Sequence, residues 1–379
     1  MNICVITSDY PDKKRAVFPF VKNLVDQWGE MGHHITVIAP FSVSHNKRIA
    51  TYEELPHPQN VEIVRPRIVS FSNLVLFGIR VSGKIHSHAI NSALSKLSVR
   101  PDVIYCHFWG QAIGAYKYAK RLSVPMVVAS GESVIPKHLG DEPLKSMCNY
   151  ASKVVCVSSK NKNESISLGL TTEDKCRVFP NAIDNSLFRV SDQAALKKSL
   201  GITESDFVLA FVGWFINRKG TLRVSKAIEK LNDDRIKIIF IGKGQEEPDC
   251  KGIIFKGALP HDEIPRYLNC ADAFVLPTLA EGCCNAVIEA MACGLPVISS
   301  DREFNWDVLN ADNSIMVDPE NVDEIANAIV ELRDNPDKRK EMSKAALRTA
   351  ANLTIRIRAE KIAELMEETH SKLGHQSFV

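Results

Sequence analysis

Leu276-Pro277-Thr278-Leu279-Ala280-Glu281-Gly282-Cys283-Cys284-Asn285-Ala286-Val287-Ile288-Glu289-Ala290-Met291-Ala292-Cys293-Gly294-Leu295-Pro296-Val297 reads as strand, loop, helix and second strand. An apolar strand ends at Pro277, and a loop carries Glu281 and Gly282. A helix then starts near Asn285, a residue type that caps helix starts well. Gly294 and Pro296 end that helix before the strand at Val297. The amino end of the helix offers free backbone amides beside the Glu281 carboxylate, a ready site for a phosphate. Glu289 follows Asn285 by about one turn, on the face of the helix start. The small residues Ala286, Ala290 and Ala292 allow close packing against neighbouring backbone. Two solvated acids give the plain alternative, and paired carboxylates also serve glycosidases. Spacing along a loop and helix does not fix their separation.

Outward from this segment, short apolar runs alternate with helical patterns, the mark of parallel α/β domains. Ile3–Ile6, Ile35–Ile38, Val61–Val64, Val103–Cys106, Met126–Ala129 and Val154–Val157 are strand-like. Phe20, Val21, Leu24, Val25 and Trp28 recur at helical spacing between the first two, and Gly32 stops that helix. The pattern restarts after Phe188 with Phe207–Val212, Ile236–Ile241, Ile253–Phe255, Ala273–Leu276 and Val297–Ser299, with a helical stretch at Arg223–Leu231. These runs predict two Rossmann-like domains, 1–185 and 186–354. An amphipathic helix from about 355 to 379 is expected to pack back on the first. Such domains bind ligands outside the carboxyl ends of their strands, and here two such edges can face each other across a cleft. Closure about a hinge near Asn185 is expected.

A chain of 379 residues with 45% apolar and 24% charged residues is that of a globular protein with two cores. It has no apolar run of bilayer-spanning length, and its first residues read as a strand rather than a signal peptide. The chain is expected in the cytoplasm, including the inner face of the membrane. Its ten cysteines form no Cys-x-x-Cys and read as reduced apolar residues. Up to Arg189 there are 23 Lys and Arg against 15 Asp and Glu; the remaining 24 and 30 leave the second half acidic. A basic first half suits an anionic surface or substrate, or a plain solvated face. Basic residues are scattered, with no aromatic-interleaved stripe for nucleic acid.

The Glu281-to-Glu289 segment resembles the Glu-x7-Glu motif of retaining glycosyltransferases of family four, the group 1 glycosyltransferases. Other matches run along the chain: Pro180-Asn181-Ala182-Ile183-Asp184 with Phe188, Phe211-Val212-Gly213 through Arg218-Lys219-Gly220, Phe240-Ile241-Gly242-Lys243-Gly244, Phe255-Lys256-Gly257, Ala271 to Pro277, and Gly32-His33-His34-Ile35-Thr36-Val37. The resemblance implies the GT-B fold and transfer of a sugar from a UDP- or GDP-linked donor to a saccharide or lipid-linked acceptor. It implies that Glu281 contacts donor-sugar hydroxyls and Glu289 the ribose. Lys219 and Arg218 would hold the diphosphate, where fixed cations stabilise a leaving group gaining negative charge. Backbone at Gly213, Cys284, Asn285 and Val287 would complete the donor site, and Gly257 and Ala258 would meet the base. No cofactor and no metal is implied, and no Asp-x-Asp is present.

The chain also departs from the family pattern. Trp214 stands where an Arg often follows Val-Gly, and 12–20 contains no glycine. Ser130-Gly131-Glu132 replaces a usual His-Gly, so Ser130, Glu132 and the strand-ending His107 become candidates for a polar cleft role. The loop after Ser300 reads Asp301-Arg302-Glu303-Phe304-Asn305-Trp306-Asp307 rather than carrying glycines. These departures resemble enzymes of surface-polysaccharide assembly. For an acceptor, Phe71–Val81 could line a groove or rest in a membrane interface, although a buried helix is the favoured reading. Lys13-Lys14-Arg15 could meet anionic lipid. Two other functions remain open at this level: a non-catalytic nucleotide-sugar-binding protein, and a sugar-nucleotide epimerase on the same fold.

Overall fold

The computed structural model describes residues 1–15, 17–42, 53–69, 75–76 and 79–376. The chain divides into two units. Met1–Val157, Asn161–Phe179 and Ile355–Val379 form the first; Ser158–Lys160 and Pro180–Thr354 form the second. The break at Phe179–Pro180 comes a few residues before the expected boundary at 185. The reason lies in Ile183, whose N–H reaches Leu353 O at 2.9 Å and which bridges Thr354, so this segment already belongs to the second unit.

In the first unit, β1 (Asn2–Ile6), β2 (His34–Ile38), β3 (Val61–Val64), β4 (Val103–His107), β5 (Met126–Ser130), β6 (Lys153–Cys156) and β7 (Cys176–Val178) form one parallel sheet, ordered β7-β6-β5-β4-β1-β2-β3. Successive side chains of a strand point to opposite faces, so a sheet covered on both faces needs continuous apolar strands. β4 and β5 are accordingly buried at every position. Cys4, Ile6, Ile104, Cys106 and Val128 pack with α3 (Trp109–Leu122) on one face. Ile3, Val5, Tyr105, Val127 and Val155 pack on the other with α1 (Pro19–Glu30) and α8 (Ile355–Gln376).

The α1–α8 contact explains why the last helix returns to the first unit. Trp28 is fully buried and its indole N–H donates to Ala359 O at 2.9 Å, which satisfies the one polar atom of a large apolar side chain. Ile362, Leu365 and Met366 bury the stripe of α8 that faces this side of the sheet. Within the stretch 71–81, Val75–Leu76 pairs antiparallel with Ile79–Arg80, and helix α2 (Val81–Ser95) begins only at Val81. The favoured buried helix is thus not what the described part forms; 71–74 and 77–78 lie outside the described residues.

The second unit repeats the plan with a parallel sheet of β8 (Phe207–Val212), β9 (Ile236–Ile241), β10 (Ile253–Gly257), β11 (Ala273–Leu276), β12 (Val297–Ser300) and β13 (Ser314–Val317), ordered β10-β9-β8-β11-β12-β13. Helices α4 (Thr221–Leu231), α5 (Asn285–Ala292), α6 (Val322–Asp334) and α7 (Pro336–Ala351) accompany it. β8 and β11 are central neighbours, so the loops leaving their carboxyl ends lie side by side. Those are the loops that hold Lys219 and Glu281. Among the described residues, no helix is long and apolar enough to cross a membrane.

Candidate active site

The loop after β11 is pinned from below by β12. Ser299 Oγ donates to Leu276 O at 2.8 Å, and Ser300 Oγ donates to Thr278 O at 2.5 Å. Thr278, fully buried, donates its hydroxyl to Glu281 Oε1 at 2.8 Å. The loop after β8 meets it through backbone, with Leu279 N–H on Arg218 O at 2.7 Å. Gly220 makes that approach possible: its φ is +86°, and a Cβ there would lie 2.7 Å from Pro277 O. Only glycine takes this conformation and this distance without strain.

Three charges gather at this junction. Glu281 Oε1 lies 2.6 Å from Lys219 Nζ and 2.9 Å from Arg218 Nη1, and Arg218 also donates to Ala280 O. Lys219 and Glu281 are each 9% exposed. Burial works against the Lys219 ammonium, yet its pKa is raised, because Cys284 and Glu281 outweigh that cost. Burial also raises the Cys284 pKa, with Lys219 working against that rise. The cluster carries a net positive charge, the sign a diphosphate requires.

α5 starts beside it. Cys284, not Asn285, occupies the capping position, and no side-chain oxygen caps the helix. This corrects the expected cap at Asn285: its Oδ1 accepts from Asn181 Nδ2 at 2.8 Å instead, and the same Asn181 amide donates to Cys283 O at 3.1 Å. Asn181 thus holds the start of α5. Cys284 lies between the two acids and feels both Glu281 and Glu289.

Glu289, 8% exposed, has a separate partner: His261 Nε2 stands 3.0 Å from its Oε1. That hydrogen bond raises the His261 pKa against the effect of burial, with Glu289, Asp262 and Asp184 adding to it. Gly257 ends β10 with its carbonyl taken by Gly242 N–H at 2.9 Å, and Ala258 follows it exposed. Gly213 is close enough that a Cβ on it would lie 3.5 Å from Lys219 Cδ. Trp214 is 56% exposed, with Lys243 Nζ 5.7 Å from its ring centroid.

The second unit therefore brings Lys219, Arg218, Glu281 and Cys284 together, with Glu289 farther along α5. Thr278, Ser300, Asn181 and His261 are supporting residues to which the sequence reading gave no role. The Thr at three residues before Glu281 was a legible signal for the first; nothing in the sequence ties His261 to Glu289.

In the first unit, Ser130 and Glu132 form a cluster of their own. The Ser130 hydroxyl donates to Glu132 Oε2 at 3.3 Å and accepts from Trp109 Nε1 at 3.2 Å. Glu132 also accepts the N–H groups of Gly131 (3.0 Å) and Trp109 (3.2 Å), the latter opening α3. Burial nevertheless raises the Glu132 pKa. Among the described residues neither ring nitrogen of His107 has a hydrogen-bond partner; Phe18, Phe20 and Phe108 surround the ring, and burial lowers its pKa to about 3. Lys13 and Lys14 pair with Glu53, and Arg15 with Asp9 and Asp12, so the basic run is answered by acids of the same unit.

Comparison with known proteins agrees across both units. The model of glycosyl transferases group 1 matches residues 192–349, and that of Glycosyltransferase Family 4 matches 19–187. A putative teichuronic acid biosynthesis glycosyltransferase, TuaC of Bacillus subtilis, is 28% identical over 351 residues, covering 87% of this chain and 88% of that protein. The UDP-Gal:alpha-D-GlcNAc-diphosphoundecaprenol alpha-1,3-galactosyltransferase of Escherichia coli is 25% identical over 66% of each chain. In fold, the chain resembles a sucrose-phosphate synthase from Thermosynechococcus elongatus, with a TM-score of 0.76 and 16% identity over 98% of this chain and 99% of that one. HepE of Anabaena, solved in complex with UDP, gives 0.72 and 17% identity over 97% and 100%. With a glycosyltransferase model matching each of the two units, this chain belongs to the group 1, family four glycosyltransferases, and its fold is GT-B.

Proposed function

We propose that the chain transfers a hexose-type sugar from a UDP- or GDP-linked donor to a saccharide or lipid-linked acceptor in cell-surface polysaccharide synthesis, retaining anomeric configuration and using no metal. The observation that carries this reading is the meeting of Lys219, Arg218 and Glu281 beside the start of α5. Lys219 and Arg218 neutralise the donor diphosphate, and the Cys284–Val287 turn adds backbone amides. Glu281 receives donor-sugar hydroxyls, Glu289 the ribose, and the Gly257–Ala258 turn the base. As the bond from the sugar C1 to the phosphate oxygen breaks, the acceptor oxygen bonds to C1 on the same face. The acceptor proton passes to the departing phosphate. Two fixed cations do here what a divalent ion does elsewhere, which is the physical reason to expect metal independence.

The relatives' names support the substrate class. The E. coli enzyme is named for a UDP-sugar and a diphosphoundecaprenol-linked acceptor, and TuaC for teichuronic acid biosynthesis. The test is thermal stabilisation by a panel of UDP- and GDP-sugars, followed by transfer with and without EDTA. Stabilisation by one donor class and EDTA-resistant transfer with retained configuration are expected. Activity abolished by EDTA and restored by manganese would refute the metal-free proposal, and binding without turnover on any lipid-linked or saccharide acceptor would refute the substrate assignment.

A further inference from the structure

The acid on α5 is held by a side chain that the motif does not contain. The carboxylate of Glu289 makes its hydrogen bond to His261, Nε2 to Oε1 at 3.0 Å. His261 sits in the turn after β10 and Glu289 on α5, so the contact is long-range rather than a by-product of helix geometry. The imidazole, 59% exposed, touches one buried aromatic: the Phe188 ring lies 5.1 Å away, Phe188 is 2% exposed, and the Phe188 N–H is tied to Asp184 O at 2.8 Å. The ring thus lies against Phe188 with its Nε2 on the acid. Because the acceptor is a carboxylate, Nε2 must be the donor.

A glutamate's terminal torsion is broad and nearly two-fold, so a free carboxylate turns with little cost. A fixed donor on one oxygen removes that freedom. We propose that His261 is a positioning residue of the ribose subsite: by holding Glu289 Oε1 it leaves Oε2 set to accept a ribose hydroxyl of a nucleoside diphosphate. This rests on the reading of Glu289 as a ribose ligand. The contribution of His261 is indirect, reaching the nucleotide through Glu289, and it belongs to affinity for the ribose rather than for the phosphates.

The prediction is specific to the sugar hydroxyls. Binding of UDP and of 2′,3′-dideoxy-UDP, or the GDP pair if guanine is the preferred base, is measured calorimetrically on the full chain. Wild type, Glu289→Gln, His261→Ala and His261→Gln are compared. His261→Ala is expected to weaken the ribonucleotide about three- to tenfold, the scale of one lost hydrogen bond to a charged group, and to leave the dideoxynucleotide unchanged. His261→Gln, which keeps a donor of similar reach, is expected to restore most of the loss. Equal weakening of both nucleotides by His261→Ala, or none while Glu289→Gln still discriminates, overturns the positioning role alone. A wild type that binds both nucleotides equally overturns the ribose reading of Glu289, and the inference with it.

Discussion

Removing the charge of Glu281 should move binding and catalysis in opposite directions. Its Oε1 is shared by Lys219 Nζ at 2.6 Å, Thr278 Oγ1 at 2.8 Å and Arg218 Nη1 at 2.9 Å. Glu281→Gln keeps the shape of the side chain and releases both cations from their anion. A phosphate pairing with Lys219 from its other side would lie about 6 Å from the carboxylate; two unit charges that far apart repel by about 1.4 kcal/mol at an effective dielectric of about 40, and about twice that at 20. The Arg218 side chain is 37% exposed, so water reaches the cluster and the lower figure applies. UDP or GDP, whichever stabilises the wild type, should therefore bind the variant about tenfold more tightly by calorimetry. Transfer should fall at least about tenfold, or about 1.4 kcal/mol on the barrier, because the donor-sugar hydroxyls lose their charged acceptor. Affinity falling in step with transfer would refute the charge reasoning, and near-wild-type transfer would refute the role of Glu281.

Lys219→Ala should lower both nucleotide affinity and transfer, the latter at least about tenfold, since it takes a buried cation from the diphosphate site and leaves Glu281 with Arg218 as its cationic partner; unchanged affinity would remove Lys219 from the site. The His261 pKa is raised by its hydrogen bond to Glu289. A raised folded pKa adds stability that is complete below the unfolded value of 6.5 and is lost as pH rises through the folded one. The difference in Tm between wild type and His261→Gln should thus be largest below pH 6.5 and shrink as pH rises above it; a constant difference would contradict the ion pair. Gly220→Ala forces a Cβ to 2.7 Å from Pro277 O at a φ of +86°. A cost of at least about 1–2 kcal/mol and a Tm lower by a few degrees are expected, with weaker nucleotide binding as Lys219 shifts; an unperturbed melt would show that the two loops are not clamped there.

How much of this was legible follows from what each pattern encodes. The strands were readable because a parallel sheet buried on both faces demands unbroken apolar runs, and Phe207–Val212 and Ile236–Ile241 are strands over the very residues that read that way. Adjacency of Lys219 and Glu281 was not readable from spacing, since it depends on β8 and β11 being neighbours although β9 and β10 intervene in sequence. The resemblance alone linked the two loops. The cap at Asn285 was misplaced by one residue because the local preference of asparagine lost to a tertiary partner, Asn181. His261 escaped notice for the same reason: a histidine in a polar, exposed turn gives no sign of the acid that another element brings to it. Between residues 70 and 81, apolar composition suggested a helix, and the pairing of Val75–Leu76 with Ile79–Arg80 shows that composition without period does not choose between helix and strand.

The two acids of the Glu-x7-Glu segment do unlike work, and their surroundings say which chemistry is open to them. A glycosidase needs one carboxyl that keeps its proton, a condition met by an apolar wall or a neighbouring anion. The neighbours of these two acids are of another kind: Glu281 faces an ammonium and a guanidinium, and Glu289 faces an imidazole. Each acid is instead fixed as a hydrogen-bond acceptor, Glu281 by three donors from two loops and Glu289 by one donor from a third. Acceptors held this rigidly suit the hydroxyls of a donor sugar and its ribose. The cations beside Glu281 then suit the one group a nucleotide sugar has that a glycoside lacks, its diphosphate. The division of partners between the two glutamates is what turns a pair of carboxylates into a donor site, and the eight-residue spacing matters because it spans the turn from the cationic junction to the first coil of α5.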